Sequence, residues 1–454
     1  MASPLDWSLS EISARLADGR LRARALIEEA QARHDPTLNA YKTWAPEFAL
    51  RQADAADAAF AAGNRLGALQ GIPVSAKDLY GVKGLPTFAG SARELPASWR
   101  REGPLVRVLR SQNAVIMGKA HTVEFAFGGL GLNAHWSAPW NPQDRKVHRT
   151  PGGSSSGAGV SLGEGTALIA LGTDTAGSVR IPASMTGHAG IKTTKGRWST
   201  DGVVPLSPTF DTTGVLARGA SDLAFAFRHL DGAAVPTLAD LTGIRLGRAE
   251  RYFWEDTSPG VPERIDEAFR FAAADGAGVA DATLPALKEL FELYHKGGIV
   301  SAELYAFLSA ELPDWLEILD PRVRRRMDAG KDLPAWDYLQ RQARYAALAA
   351  DAANSLTEID ALVSPTVPIT PPPVADVADN DAYVRTNLLA LRNTSPISFL
   401  GLCAVTIPAG RDAAGMPVGL QLVGAPGSEA RLLAIAVRLE QLLAKKGVWH
   451  YPGA

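Results

Sequence analysis

Through residues 8 to 62 apolar and polar positions recur at a helical spacing, with two breaks. Ser8 stands three positions before Glu11, the spacing of a capping box, so a helix is predicted to begin there. Gly19 ends it. Leu21 to Arg33 predicts a second amphipathic helix, and the alanine-rich stretch 47 to 62 a third that stops at Gly63. The pattern then changes. Residues 71 to 76 form a short apolar run that predicts a buried strand with Lys77 at its end, and 115 to 118 predicts another. From 151 to 220 glycine, serine and threonine are dense. Within that region 158 to 164 predicts a helix after one serine cluster, and 167 to 172 a strand feeding a second. From about 250 to 360 Ala, Leu, Glu and Arg dominate and predict several helices, until Pro365, Pro368 and Pro371 to Pro373 break the pattern. Short apolar strands return over 403 to 424, around Gly410 and Gly415, and Glu429 to Lys445 predicts a closing helix. The expected architecture is α/β: one core over 1–454, interrupted by a mostly helical segment that borders the site. Its parts are N-terminal helices (1–62), a core bearing the serine clusters (63–245), the divergent helical segment (246–395) and a return to the core sheet (396–454).

Composition narrows the function classes. The chain has 454 residues, 46% of them hydrophobic and 21% charged, as in a globular protein able to bury a core without disulfides or metals. A formal net charge of −2 gives no global electrostatic case for nucleic acid or an acidic membrane surface. The one dense basic run, Arg322-Val323-Arg324-Arg325-Arg326, reads as a solvated helix face. A single cysteine, Cys403, excludes an intrachain disulfide and fits a reducing compartment. With no secretory-type N-terminus and no apolar run near the roughly 18 residues that span a bilayer, the expected location is cytoplasmic.

Three stretches supply candidate chemistry: Ser75-Ala76-Lys77-Asp78, Gly152-Gly153-Ser154-Ser155-Ser156-Gly157 and Gly172-Thr173-Asp174-Thr175-Ala176-Gly177-Ser178. A serine hydroxyl is a weak nucleophile and needs a base and a proton path. Lys77 could be that base only if burial lowers its pKa, because at a reference value near 10.4 about one lysine in 2,500 is neutral at pH 7. Ile72, Val74 and Leu79 favour such burial, and Asp78 next door opposes it. Any of Ser154, Ser155 and Ser156 could relay the proton to Ser178. The tight turn at Ala176-Gly177 lets backbone N–H groups converge as an oxyanion hole.

The order and spacing of these stretches resemble the amidase signature family over nearly the entire chain. The resemblance runs from Leu38-Asn39-Ala40 and Gly71 to Leu79, through Pro151 to Gly157 and Gly172 to Ala183, to Ser364-Pro365-Thr366-Val367-Pro368 and Gly415 to Gln421. In that family the nucleophile lies 24 residues after the relay serine, the spacing of Ser154 and Ser178. The resemblance therefore implies Ser178 as nucleophile, Ser154 (held in a cis peptide) as relay and Lys77 as base. It also implies backbone donors from Thr175, Ala176, Gly177 and Ser178, with Ser155, Asp174 and Arg180 in support. Phe125, Ala126, Phe127 and Gly128 would run beside the reacting carbonyl. The fold it implies has a large mixed central sheet with helices on both faces. Its reaction is hydrolysis of a small carboxamide through an acyl-enzyme, with no metal or organic cofactor and a homodimer as the expected assembly.

Some positions depart from the family pattern. Ser-Ser-Ser-Gly replaces Ser-Ser-Gly-Gly, Thr-Ala-Gly-Ser replaces Thr-Gly-Gly-Ser, Cys403 stands at a usual proline and Ser398 at a common asparagine. None touches the three key residues. Asp174 and Arg180 are expected to bridge the nucleophile turn; the alternative is that Arg180 meets a substrate carboxylate. His121, His135, His148 and His188 show no metal-ligand spacing, and Cys403 reads as an inert buried thiol. Trp315, Trp336 and Tyr338 read mainly as core of the helical segment. Two other functions compete: a glutaminase-type subunit of an amidotransferase, and, remotely, a nucleotide-binding small-molecule kinase, for which no Walker loop is present.

Overall fold

The computed structural model describes residues 3 to 450 except Ala286. Among them, eleven strands join one mixed sheet. In chain order these are β1 (Tyr41–Trp44), β2 (Pro73–Lys77), β3 (Val115–Ala120), β4 (Ile169–Asp174), β5 (Ala189–Lys192), β6 (Thr212–Ala217), β7 (Arg245–Ala249), β8 (Gly278–Ala282), β9 (Ala361–Pro365), β10 (Cys403–Arg411) and β11 (Pro417–Gly424). Their spatial order is β1-β3-β2-β4-β6-β5-β10-β11-β9-β7-β8. β2 runs parallel to β3 and β4, and β7 runs parallel to β8 and β9. The remaining neighbours are antiparallel. The α/β class and the large mixed sheet match the expectation.

Every residue of β2 to β6, β9 and β11 is buried. Successive strand side chains point to opposite faces, so both faces of this central region are covered. The sequence runs are apolar for that reason rather than alternating. β8, at the sheet's end, is exposed along most of its length.

At the N-terminus the first helix (Leu9–Ala17) starts as predicted, with the Ser8 hydroxyl accepting from the Glu11 N–H at 3.2 Å. The capping box is only half formed, because the Glu11 carboxylate turns forward to Arg15. The second helix (Ala23–Ala32) is capped from a distance: its first N–H groups donate to Asp57 of the third helix (Pro46–Ala61). The segment expected to be mostly helical over 246–395 also feeds the central sheet, since β7, β8 and β9 fall within or at the start of it. Between β8 and β9 the chain is helical, and there Trp315 is buried against the Arg93 guanidinium. Trp336 departs from the core expectation. It is 64% exposed, on the first turn of the helix Ala335–Ser355, where no neighbouring element among the described residues covers it. No helix among the described residues is long and apolar enough to cross a membrane.

The parallel pairing of β2 with β4 positions the site. Ala76 lies opposite Leu171, so both strands deliver their C-terminal ends, with Lys77 and Asp174, to one sheet edge. Open α/β sheets place ligands beyond that edge.

Candidate active site

Lys77 ends β2 with no solvent exposure. Its Nζ donates to Ser154 Oγ and to Thr173 Oγ1, each at 2.7 Å. Burial lowers its pKa to about 7, against the pull of Asp174 and Asp211. Asp78 leaves Lys77 alone: it pairs with Lys119 at 2.8 Å and accepts from the Phe88 N–H. Adjacent strand residues face opposite ways, which separates the two neighbours.

The Gly153–Ser154 peptide is cis, as the resemblance implies. Thr122 Oγ1 and the Val123 N–H both donate to the Ser154 carbonyl. Of the three serines, Ser154 alone bonds Lys77. Ser155 N–H donates to the Ser178 carbonyl at 3.2 Å, joining the two loops. Ser156 faces away, with Oγ 2.9 Å from His121 Nδ1. His121 is a structural histidine, since burial lowers its pKa to about 4 and its Nε2 bonds the Ser137 carbonyl.

The turn that presents Ser178 is built around Asp174. Its carboxylate accepts from the Gly177 N–H at 2.7 Å, the Val179 N–H at 3.2 Å, Arg180 and Ser398 Oγ. Burial opposes its ionisation, yet the Arg180 guanidinium holds its pKa down to about 2. Arg180, fully buried, donates also to Gln421 Oε1, Ser398 Oγ and the Thr394 carbonyl. Its donors are engaged inside the protein, which removes the carboxylate-binding alternative and keeps the bridging one. Ser398, noted in the sequence only as a departure, belongs to this network.

Two expectations need correction. The Gly177 N–H is taken by Asp174, so it is withdrawn from the expected oxyanion donors. The N–H groups of Thr175, Ala176 and Ser178 donate to no protein acceptor among the described residues. Gly177 is required for another reason: its φ is +134°, and a Cβ there would lie 2.1 Å from Thr394 Oγ1. Phe125 is the second correction. It sits in a short 3₁₀ turn with φ +44° and is wholly buried in the core, while Ala126, Phe127 and Gly128 line the cavity.

That cavity, about 280 Å³, opens over Ser178. Its far walls are aromatic and aliphatic: Phe210, Tyr294, Tyr345 and Phe399 come from four separate stretches. Phe399 packs with Phe210 at 4.6 Å between ring centroids. Sequence reasoning missed these residues because only the fold brings them together. Tyr338 stays outside the cavity lining, bonded to Glu303. Cys403 is buried, and burial pushes its thiol up to about 11.

Comparison with known proteins places the chain. The Amidase family model matches residues 23–433. The 2-amino-5-chloromuconic acid deaminase of Comamonas testosteroni is 48% identical over 445 residues, covering 96% of both chains. The A-type chain of glutamyl-tRNA(Gln) amidotransferase from Geobacter sp. strain M21 is 33% identical over 94% of this chain and 93% of its own. A crystal structure of an amidase superposes with a TM-score of 0.85 at 32% identity, covering 96% of this chain and 99% of that one. The chain therefore belongs to the amidase family and is a hydrolase of amide C–N bonds.

Proposed function

We propose that the reaction proceeds through an acyl-enzyme on Ser178, with Ser154 as proton relay and Lys77 as base. The observation that carries this is the 2.7 Å contact between Lys77 Nζ and Ser154 Oγ, made by a lysine that burial brings to a pKa of about 7. A lysine poised near neutrality can accept a proton and return it, which is the match general base catalysis requires. Ser178 Oγ bonds to the amide carbon while its proton passes to Ser154 Oγ, whose own proton passes to Lys77. The N–H groups of Ser178, Ala176 and Thr175 face the developing oxyanion; one such donor contributes about 3 kcal/mol. The C–N bond then breaks as the proton returns through Ser154 to the nitrogen. Water attacks the acyl carbon by the same route, freeing the acid and Ser178.

Ammonia is the leaving group we favour, because the relative at 48% identity is a deaminase, and it is closer than the amidotransferase chain at 33%. The same ordering favours a self-sufficient enzyme over a partner-dependent one. The test is ammonia and amine release from glutamine, aliphatic, aryl, dicarboxylic and urea-derived amides by wild type and Ser178→Ala. Turnover of one class, lost in Ser178→Ala, supports the proposal. Turnover that survives in Ser178→Ala rejects it.

A further inference from the structure

The basic run at 322 to 326 is divided by the helix Pro321–Asp328 that carries it. Val323 and Met327 are buried, Arg324 pairs with Asp328, and Arg325 is exposed. Arg326, three residues after Val323, instead turns into the cavity that Ser178 lines. The solvated-face expectation fails at this residue. Its guanidinium lies 4.0 Å from the Phe127 ring centroid and donates to the Phe127 carbonyl at 2.9 Å. Among the described residues, no carboxylate pairs with it, and it is the one charged side chain lining the cavity.

A guanidinium facing an otherwise largely apolar cavity is a costly arrangement unless something of opposite charge arrives there. Arginine has five N–H donors in a planar fork that matches a carboxylate in two-point contact. The Phe127 carbonyl and the neighbouring Tyr383 hydroxyl occupy only part of that fork. The helix is also held in place against the Ala126–Gly128 wall, since Glu124 Oε2 accepts from the Asp320 N–H at 2.6 Å. Arg180, the other arginine near Ser178, has its donors engaged by Asp174, Gln421, Thr394 and Ser398.

We propose that Arg326 binds a carboxylate of the substrate, so that the enzyme acts on small acids whose scissile C–N bond lies at the end remote from that carboxylate. The intervening apolar body lies against Phe210, Tyr345 and Phe399. This rests on the reading of Ser178 as the nucleophile.

The test compares succinamate, glutaramate and adipamate with their methyl esters, which keep the amide and remove the charge. Wild type should favour the best acid over its ester in kcat/KM, and Arg326→Gln should collapse that ratio by about 10- to 100-fold, chiefly through KM. Arg326→Lys, which keeps the charge without the fork, should recover part of it. Calorimetric binding of succinate, glutarate and adipate to wild type, Arg326→Gln and Ser178→Ala gives a readout independent of turnover. If Arg326→Gln lowers acid and ester alike, or dicarboxylate binding ignores the substitution, the inference is overturned. If no amide is hydrolysed but dicarboxylate binding still depends on Arg326, the carboxylate site stands and the catalytic reading fails.

Discussion

Around Ser178 the polar groups are buried and engaged: Lys77 with Ser154 and Thr173, Asp174 with Arg180, Ser398 and two backbone N–H groups. Across the cavity the helices between Leu287 and Ser355 are more exposed. Their residues vary between buried, half-buried and exposed, and Arg326 faces the cavity with no carboxylate partner among the described residues. The difference separates two tasks. In the proposed reaction, bond chemistry would sit at the ends of β2 and β4, where a rigid sheet fixes a few atoms. On the same proposal, substrate choice would sit on helices whose residues can change without disturbing those atoms.

The largest effect expected from breaking this contrast is at Ser178. Ser178→Ala should cut kcat by about 10⁴- to 10⁶-fold with little change in melting temperature. Lys77→Met should cut it by about 10²- to 10⁴-fold. That same variant should be more stable than wild type at pH 7 and below. The folded pKa of Lys77, about 7, lies below the ordinary value of 10.5, so the unfolded chain binds the extra proton between those values. Its burial therefore weakens the fold most at and below pH 7, and the penalty fades as pH rises towards 10.5. Melting curves from about pH 6 to about pH 10 check this, and wild-type kcat/KM should climb through about pH 7 as Lys77 becomes neutral. Asp174→Asn leaves Arg180 without its countercharge and should cost about 3–5 kcal/mol in denaturant unfolding. At the other extreme, Trp336→Ser on the outer face of the helical segment should change stability by no more than about 0.5 kcal/mol.

The same contrast governs what the sequence reveals. β2 and β4 are legible because short apolar runs end in polar residues, and the family spacing of Ser154 and Ser178 singles out one serine of three. Burial of Lys77 is legible from Ile72, Val74 and Leu79. The engagement of the Gly177 N–H by Asp174 is not, because it depends on how a turn folds back on a side chain three residues earlier. Phe125 is misread because a left-handed turn redirects it into the core. Phe210, Tyr294, Tyr345 and Phe399 lie far apart in sequence, and no local pattern links them. Arg326 carries a usable signal: Val323 and Met327 mark the buried face of its helix, and a residue three after Val323 lies beside that face.

The most direct test of the central claim is mass spectrometry of enzyme quenched during turnover of its best amide. An acyl adduct of the substrate's mass should map to the peptide containing Ser178, vanish in Ser178→Ala, and release the free acid on further incubation. An adduct on another residue, or undiminished turnover by Ser178→Ala, would contradict the account.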